Sequence, residues 1–314
     1  MFQNLSLNTF ICLSVMIFAG MALGRLVKLI KLPNVTGYLL AGLLLGPSVL
    51  GILNEDFLAS ASIISEMALG FIAFSIGNEF KISYFKRVGA TPIVIATLES
   101  LFAVVFVAGA LVLAGFEPSF SLVLGSIAAA TAPAATIMVI KQYKARGPVT
   151  ETLLSVVAID DATALIMFSI AVAIATALSG GNVSASQLIL KPAIEIGGAL
   201  VAGAVLGFIF LLPLKAFKKD GNRLSLTVAF IFMGLGLSKL CGFSSLLLCM
   251  AMGAIIANLS PDVNHLMKLS DKITPPIFML FFVASGAELK LSVLPAVGLC
   301  GVIYIVVRVI GKMF

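Results

Sequence analysis

The sequence predicts an all-α polytopic membrane protein of about eleven transmembrane helices. Composition, the length of its apolar runs and the placement of its basic residues lead there. Hydrophobic residues fill 61% of the 314 positions and charged residues only 11%, with a mean hydropathy of +1.17. A soluble domain carries about 25% charged residues. Apolar windows of about 20 residues, enough for a ~30 Å hydrocarbon core, recur from end to end. They centre near residues 8–30, 35–53, 58–79, 90–114, 119–140, 151–179, 190–213, 224–240, 243–260, 273–289 and 294–314. The runs do not alternate at period two, so the spans are helices rather than barrel strands.

The first span has no basic stretch before it and no A-x-A cleavage site after it, so it is a retained helix, not a signal peptide. Arg25, Lys28 and Lys31 follow it. Lys81, Lys86 and Arg87 follow the third span, and Lys141, Lys144 and Arg146 the fifth. Lys215, Lys218, Lys219 and Arg223 follow the seventh, and Lys268 and Lys272 the ninth. These are 15 of the 20 Lys and Arg, all on one side, while Glu55, Asp56 and Glu117 fall in the opposite loops. The positive-inside rule makes the basic loops cytoplasmic and puts the N-terminus outside. The net charge of +6 is thus a topology signal, and no nucleic-acid partner is implied. Cys12, Cys241, Cys249 and Cys300 lack C-x-x-C spacing, which argues against disulfides and metal sites. His265, the only histidine, is expected as a solvated residue of a cytoplasmic loop.

The chain repeats itself. SIGNEFKIS at 75–83 matches ASGAELKLS at 284–292, pairing Gly77 with Gly286, Glu79 with Glu288, Lys81 with Lys290 and Ser83 with Ser292 at an offset of 209. LLAGLLLGP at 39–47 matches MAMGAIIAN at 250–258, with Gly42 on Gly253 at an offset of 211. The third span runs inward and the tenth outward, so the repeats are inverted. Inverted repeats are an architecture of secondary transporters, whose sites lie at mid-membrane where helices break.

The fifth span, GSIAAATAPAATIMVI at 125–140, is expected to be such a helix, broken at Thr131, Ala132 and Pro133. Pro133 has no N–H for the carbonyl of Ala129 and crowds it. Irregular backbone survives at this depth only inside protein or beside water. The sixth span then carries AIDDATAL, with Asp160 and Asp161 adjacent in an apolar run. One such residue at mid-bilayer costs roughly 2.5–3.5 kcal/mol on insertion scales. Free carbonyls beside two carboxylates are what a dehydrated cation needs. Neighbours on a helix point about 100° apart, so one aspartate can take an ion pair while the other faces a cavity. Arg308 is the arginine well inside an apolar stretch, with Lys312 one turn further on. Glu99 is a third buried acid and aligns with Arg308 at the offset of 209. An intramembrane aspartyl protease would need its carboxylates on separate helices and a G-x-G-D segment, which is absent. No enzymatic activity and no catalytic residue are expected.

ATAPAATIMVIKQYKARGPVTETLLSVVAIDDATALI, with SIGNEF before it and PPIFMLFFVASGAEL after it, resembles the monovalent cation:proton antiporter-2 family of bacterial Na+/H+ and Kef-type K+/H+ antiporters. The resemblance covers essentially the whole chain. It implies the NhaA-like inverted-repeat fold, with panel helices for homodimer contacts at about 8–53 and 224–260. A linker helix at about 190–213 and core ion-translocation helices at about 58–179 and 273–314 complete it. By resemblance Asp161 carries the ion (Na+) and the proton, Asp160 pairs with Arg308, and Thr131 sits where the helix unwinds. Electrogenic members typically pair the aspartates with lysine, and arginine accompanies many electroneutral ones, so the stoichiometry stays open. The family has about thirteen helices, and this chain ends inside its eleventh, so it is expected to be a fragment. The expected activity is exchange of a monovalent cation, Na+ rather than K+, for H+ at the cell membrane by alternating access, with no cofactor. A Na+-coupled organic-anion symporter of related fold and a gated ion channel are the alternatives.

Overall fold

The structure, a computed structural model, describes residues 8–78, 80–82, 89–131, 133–178 and 190–313. Among them are twelve α-helices and a 3-10 turn at Leu291–Val293. The helices are α1 (Thr9–Leu29), α2 (Asn34–Leu45), α3 (Glu55–Gly77), α4 (Thr91–Leu113), α5 (Pro118–Ala129) and α6 (Pro133–Tyr143). They continue as α7 (Pro148–Leu178), α8 (Lys191–Ala216), α9 (Asp220–Cys241), α10 (Ser245–Leu259), α11 (Val263–Ala287) and α12 (Leu294–Met313). Each of the eleven apolar windows holds one helix, except the fifth, which holds α5 and α6 end to end.

Local chemistry sets the ends. Asn54 caps α3 by accepting from the Phe57 amide at 2.8 Å, and Glu55 and Asp56 favour the positive end of the dipole. Ser244 caps α10, and Gly242, at φ 70°, closes α9 in the left-handed conformation that glycine accepts freely. Prolines open α5, α6 and α7, where the missing N–H costs nothing. α1, α3, α4, α8 and α9 are each long and apolar enough to cross a membrane, whereas α2 and α10 have only 12 and 15 residues. At 1.5 Å per residue those two are shorter than the ~30 Å hydrocarbon core, so they depend on their neighbours.

The helices pack in two groups. α1, α2, α3, α8, α9, α10 and α11 enclose one large core in which Phe71, Phe74, Phe210, Phe278 and Leu248 are buried. α4, α5, α7 and α12 form the second, around Val104, Ala129 and Ala164 and around Val107, Leu111 and Ala128. The sequence expectation grouped the third and tenth spans with the second set. Their packing is with the first, since α3 lies on α10 and α11, and α11 on α2. α6 also leans on the first group through three successive residues. Lys141 pairs with Asp271 at 2.5 Å, Gln142 accepts from the Asn34 amide at 2.8 Å, and the Tyr143 hydroxyl donates to the Lys31 carbonyl at 3.3 Å. His265 sits in the first turn of α11 rather than in a loop, 2.8 Å from Asp220.

The sequence repeat is a structural one. Gly42 brings α2 against the backbone of α11 at Val283, Gly286 and Ala287, and Gly286 meets Leu39 in return. Gly253 brings α10 against the backbone of α3 at Phe74 and Gly77, and Gly77 meets Met250 in return. The same crossing is built twice from the four glycines that the repeat aligned. Glu79 and Ser83 of the first copy lie outside the described residues. Because a Cβ at these positions would meet backbone, Gly42→Val and Gly253→Val should each destabilise the fold by about 1–3 kcal/mol through overpacking. Gly109→Ala, with open space around it, should be neutral or slightly stabilising. Thermal unfolding of the purified variants in detergent measures the contrast, and equal losses at all three sites would contradict it.

Candidate functional site

The break is where the sequence puts it. α5 ends at Ala129, Ala130 is extended with φ −62° and ψ 137°, Thr131 is outside any helix, and α6 opens at Pro133. Ala132 lies outside the described residues. A helix end leaves its last carbonyls without partners, and here Arg308 of α12 takes two of them. Its Nε donates to the Ala128 carbonyl at 3.0 Å and its Nη2 to that of Ala130 at 2.6 Å. A guanidinium there also answers the negative end of the α5 dipole.

Asp160, midway along α7, is fully buried. Its Oδ1 accepts from the Ser100 hydroxyl of α4 at 2.5 Å, and its Oδ2 accepts from the Thr131 hydroxyl and, at 3.1 Å, from Lys312 Nζ of α12. Thr163, one turn on, donates to the Asp160 carbonyl at 3.0 Å and lies 3.1 Å from Ser100 Oγ. Lys312 Nζ also donates at 2.7 Å to Glu99 Oε1 and at 2.7 Å to Thr131 Oγ1. Its three N–H bonds therefore have three acceptors, supplied by α4, the break and α7. The ionic groups are well shielded, with side-chain exposures of 0% for Asp160, 14% for Lys312 and 21% for Glu99.

The expected Asp160–Arg308 pair is corrected by this geometry. Lys312 holds Asp160, and Arg308 holds the broken helix. Residues four apart share a helix face, so both side chains of α12 reach the same region at different depths. Gly311 makes the lower contact possible, because α12 lies against the α4 backbone at Phe102 and Ala103, and there Lys312 reaches Glu99. Thr131, Asp160 and Glu99, singled out from sequence, come together. Ser100 and Thr163 were not anticipated, although their positions beside Glu99 and three residues after Asp160 were visible signals. Asp161 follows Asp160 in α7, and its side chain lies outside the described residues. Glu66 has no place here, as it pairs with Lys239 at 2.5 Å near the surface.

Asp160 accepts three hydrogen bonds and an ammonium contact in a dry setting, so it acts as a fixed anchor. Removing one member of a buried charge pair typically costs ~3–5 kcal/mol. Lys312→Met should therefore destabilise strongly, and Asp160→Asn with Lys312→Gln together should recover part of the loss. Arg308→Ala should cost about 1.5–3 kcal/mol, the range for hydrogen bonds to charged groups, and should not couple to Asp160→Asn. Unfolding of the single and double variants in detergent gives the coupling energies, and a zero value for Lys312 with Asp160 would reject the pair.

Comparison with known proteins places the chain in context. It is 25% identical over 299 residues to the Na(+)/H(+) antiporter NhaS5 of Synechocystis sp., an alignment covering 93% of this chain and 41% of that protein. It is 26% identical over 294 residues to Na(+)/H(+) antiporter 1 of Methanocaldococcus jannaschii, covering 88% of this chain and 67% of that one. The chain thus spans about two fifths of the cyanobacterial relative's length and about two thirds of the archaeal one's. Its fold matches the solved structure of the sodium proton antiporter MjNhaP1 from Methanocaldococcus jannaschii with a TM-score of 0.75. That match has 22% identity and covers 96% of this chain and 77% of that one. A family model described as "Sodium/hydrogen exchanger, transmembrane" matches residues 13–314, and the chain, with its broken helix and buried aspartate, belongs to that family.

Proposed function

We propose that this protein is a secondary active antiporter exchanging a monovalent cation, Na+ in preference to K+, for protons. The observation that carries the reading is the full engagement of buried Asp160 beside the broken helix. Asp160 is tied down by Ser100, Thr131 and Lys312, and in this reading the ligand falls to its neighbour in the sequence, Asp161. Asp161 binds either the cation or the proton, so that each displaces the other. The relatives' names, both Na(+)/H(+) antiporters, support the same cargo here.

Alternating access is supported by the two packing groups and by the cavities at their seam. One cavity, about 270 Å3, borders Ser126, Ala130 and Ala164 with Ser244 and Leu246, on the α5 side of the break. The other, about 720 Å3, borders Asn34, Tyr38, Met138, Lys141 and Asp271, on the α6 side. In this reading the α4–α5–α7–α12 group carries the ion, the first group is the panel through which two copies form a homodimer, and the two rock against each other. The basic loops face the cytoplasm and the N-terminus the exterior of the cell membrane.

Asp161→Asn should abolish Na+-dependent proton release in proteoliposomes, followed by recovery of a ΔpH-quenched dye, while leaving the detergent unfolding transition in place. Near-normal exchange by that variant would refute the competition. Rocking also requires the contacts of α6 to give way. Cysteines replacing Lys141 and Asp271, joined by a short bismaleimide, should stop exchange, whereas the unlinked double variant should remain active; exchange that survives the cross-link would exclude movement at this seam.

A further inference from the structure

The cavity on the α6 side of the break has a wall that attracts anions. Lys141, Lys144 and Arg146 line it against one carboxylate, Asp271, a surplus of two positive charges. Asp271 is already held by Lys141 at 2.5 Å, and Lys144 and Arg146 have no carboxylate partner among the described residues. α2 adds to the surplus. It begins at this wall with Asn34, has no side-chain cap, and turns the positive end of its dipole there. The buried part of the wall is polar as well. Thr274 of α11 is 2% exposed and lines the cavity, and its hydroxyl has no hydrogen-bond partner among the described residues. Tyr38, also buried, lines it from α2. The positive-inside bias accounts for basic residues in this loop, but not for an unpaired, buried hydroxyl bordering the same space.

We propose that this cavity binds a phosphate-bearing anion, and that the bound anion clasps the two helix groups together and slows exchange. A phosphate offers several oxygens at once, and guanidinium and ammonium groups hold it by charge-assisted hydrogen bonds. The hydroxyls of Thr274 and Tyr38 can donate to the same group. At about 720 Å3 the cavity falls in the range of small-molecule sites, with room for a nucleotide-sized compound or for the headgroup of an acidic phospholipid. Such an anion touches both sides of the seam. Lys144 and Arg146 lie between α6 and α7, whereas Tyr38 and Thr274 belong to α2 and α11. It adds a tie where α6 already meets Asn34 and Asp271. The slowing of exchange rests on the antiport reading above; the binding does not.

Binding is measured first, on the full-length protein in detergent, by calorimetric titration with inorganic phosphate, pyrophosphate and ATP. A second arm compares the unfolding temperature in phosphatidylcholine vesicles with and without phosphatidylglycerol. Binding in the first arm assigns the site to a free phosphate compound; a rise confined to the second assigns it to a lipid headgroup. Lys144→Gln with Arg146→Gln should weaken binding by at least about tenfold, and Thr274→Val, which keeps every charge, by roughly tenfold. Asp271→Asn should tighten it. Thr274→Val removes an unpaired hydroxyl and should fold as the wild type does. In proteoliposomes, ATP on the side of the basic loops, or phosphatidylglycerol in the membrane, should slow Na+-driven proton flux in the wild type and leave that of Thr274→Val unchanged. No binding in either arm overturns the proposal. So does binding that Thr274→Val leaves intact, which would mark loose attraction to a basic loop, and so does binding that does not slow exchange. Absence of exchange in the wild type without any added anion would instead remove the antiport reading, a result on which neither binding arm depends.

Discussion

An ammonium inside a bilayer has to bring its acceptors with it. Lys312 does so by gathering Glu99, Thr131 and Asp160, which belong to α4, the break and α7. Those three parts of the chain share no local reason to meet. Their convergence holds α12 against α4, orients the hydroxyl of Thr131 toward Asp160, and leaves Asp160 with its oxygens engaged. Arg308 completes the assembly one turn away by accepting the task of capping α5. Without that cation the unwound carbonyls would be bare at membrane depth, where each unsatisfied group costs several kcal/mol. The two basic residues of α12 therefore have separate duties, one toward side chains and one toward backbone.

Much of this was legible in the sequence because the bilayer leaves few options. Apolar windows and alternating basic loops reveal spans without any knowledge of packing, and Pro133 marks the break because proline cannot extend a helix. The glycine repeat was legible for a related reason: only a missing side chain allows backbone-to-backbone crossings, so Gly42, Gly77, Gly253 and Gly286 stand out where the helices touch.

What stayed hidden is rotational and three-dimensional. Arg308 and Lys312 sit on one face of α12, and no pattern along the chain says which of them lies level with Asp160. The closeness of Gly311 to Ala103 settles that, and it is a fact about two helices. The neighbours of α3 and α11 were hidden likewise: the resemblance set them with the core helices, whereas their glycine faces pack them on α10 and α2. Ser100 and Thr163 looked like ordinary small polar residues until Asp160 was seen between them.

The two halves of the broken span ride on different bodies. α5 is packed on α4 and α7, whereas α6 is held at its far end by Lys31, Asn34 and Asp271 of the other group. Any displacement of one group against the other must then be absorbed in the few residues between Ala129 and Pro133. Thr131, which touches both the carboxylate and the ammonium, lies in that stretch. Thr131 thus belongs both to the link between the two groups and to the hydrogen bonds of Asp160 and Lys312, so under the proposed rocking any shift of one group against the other would strain those bonds.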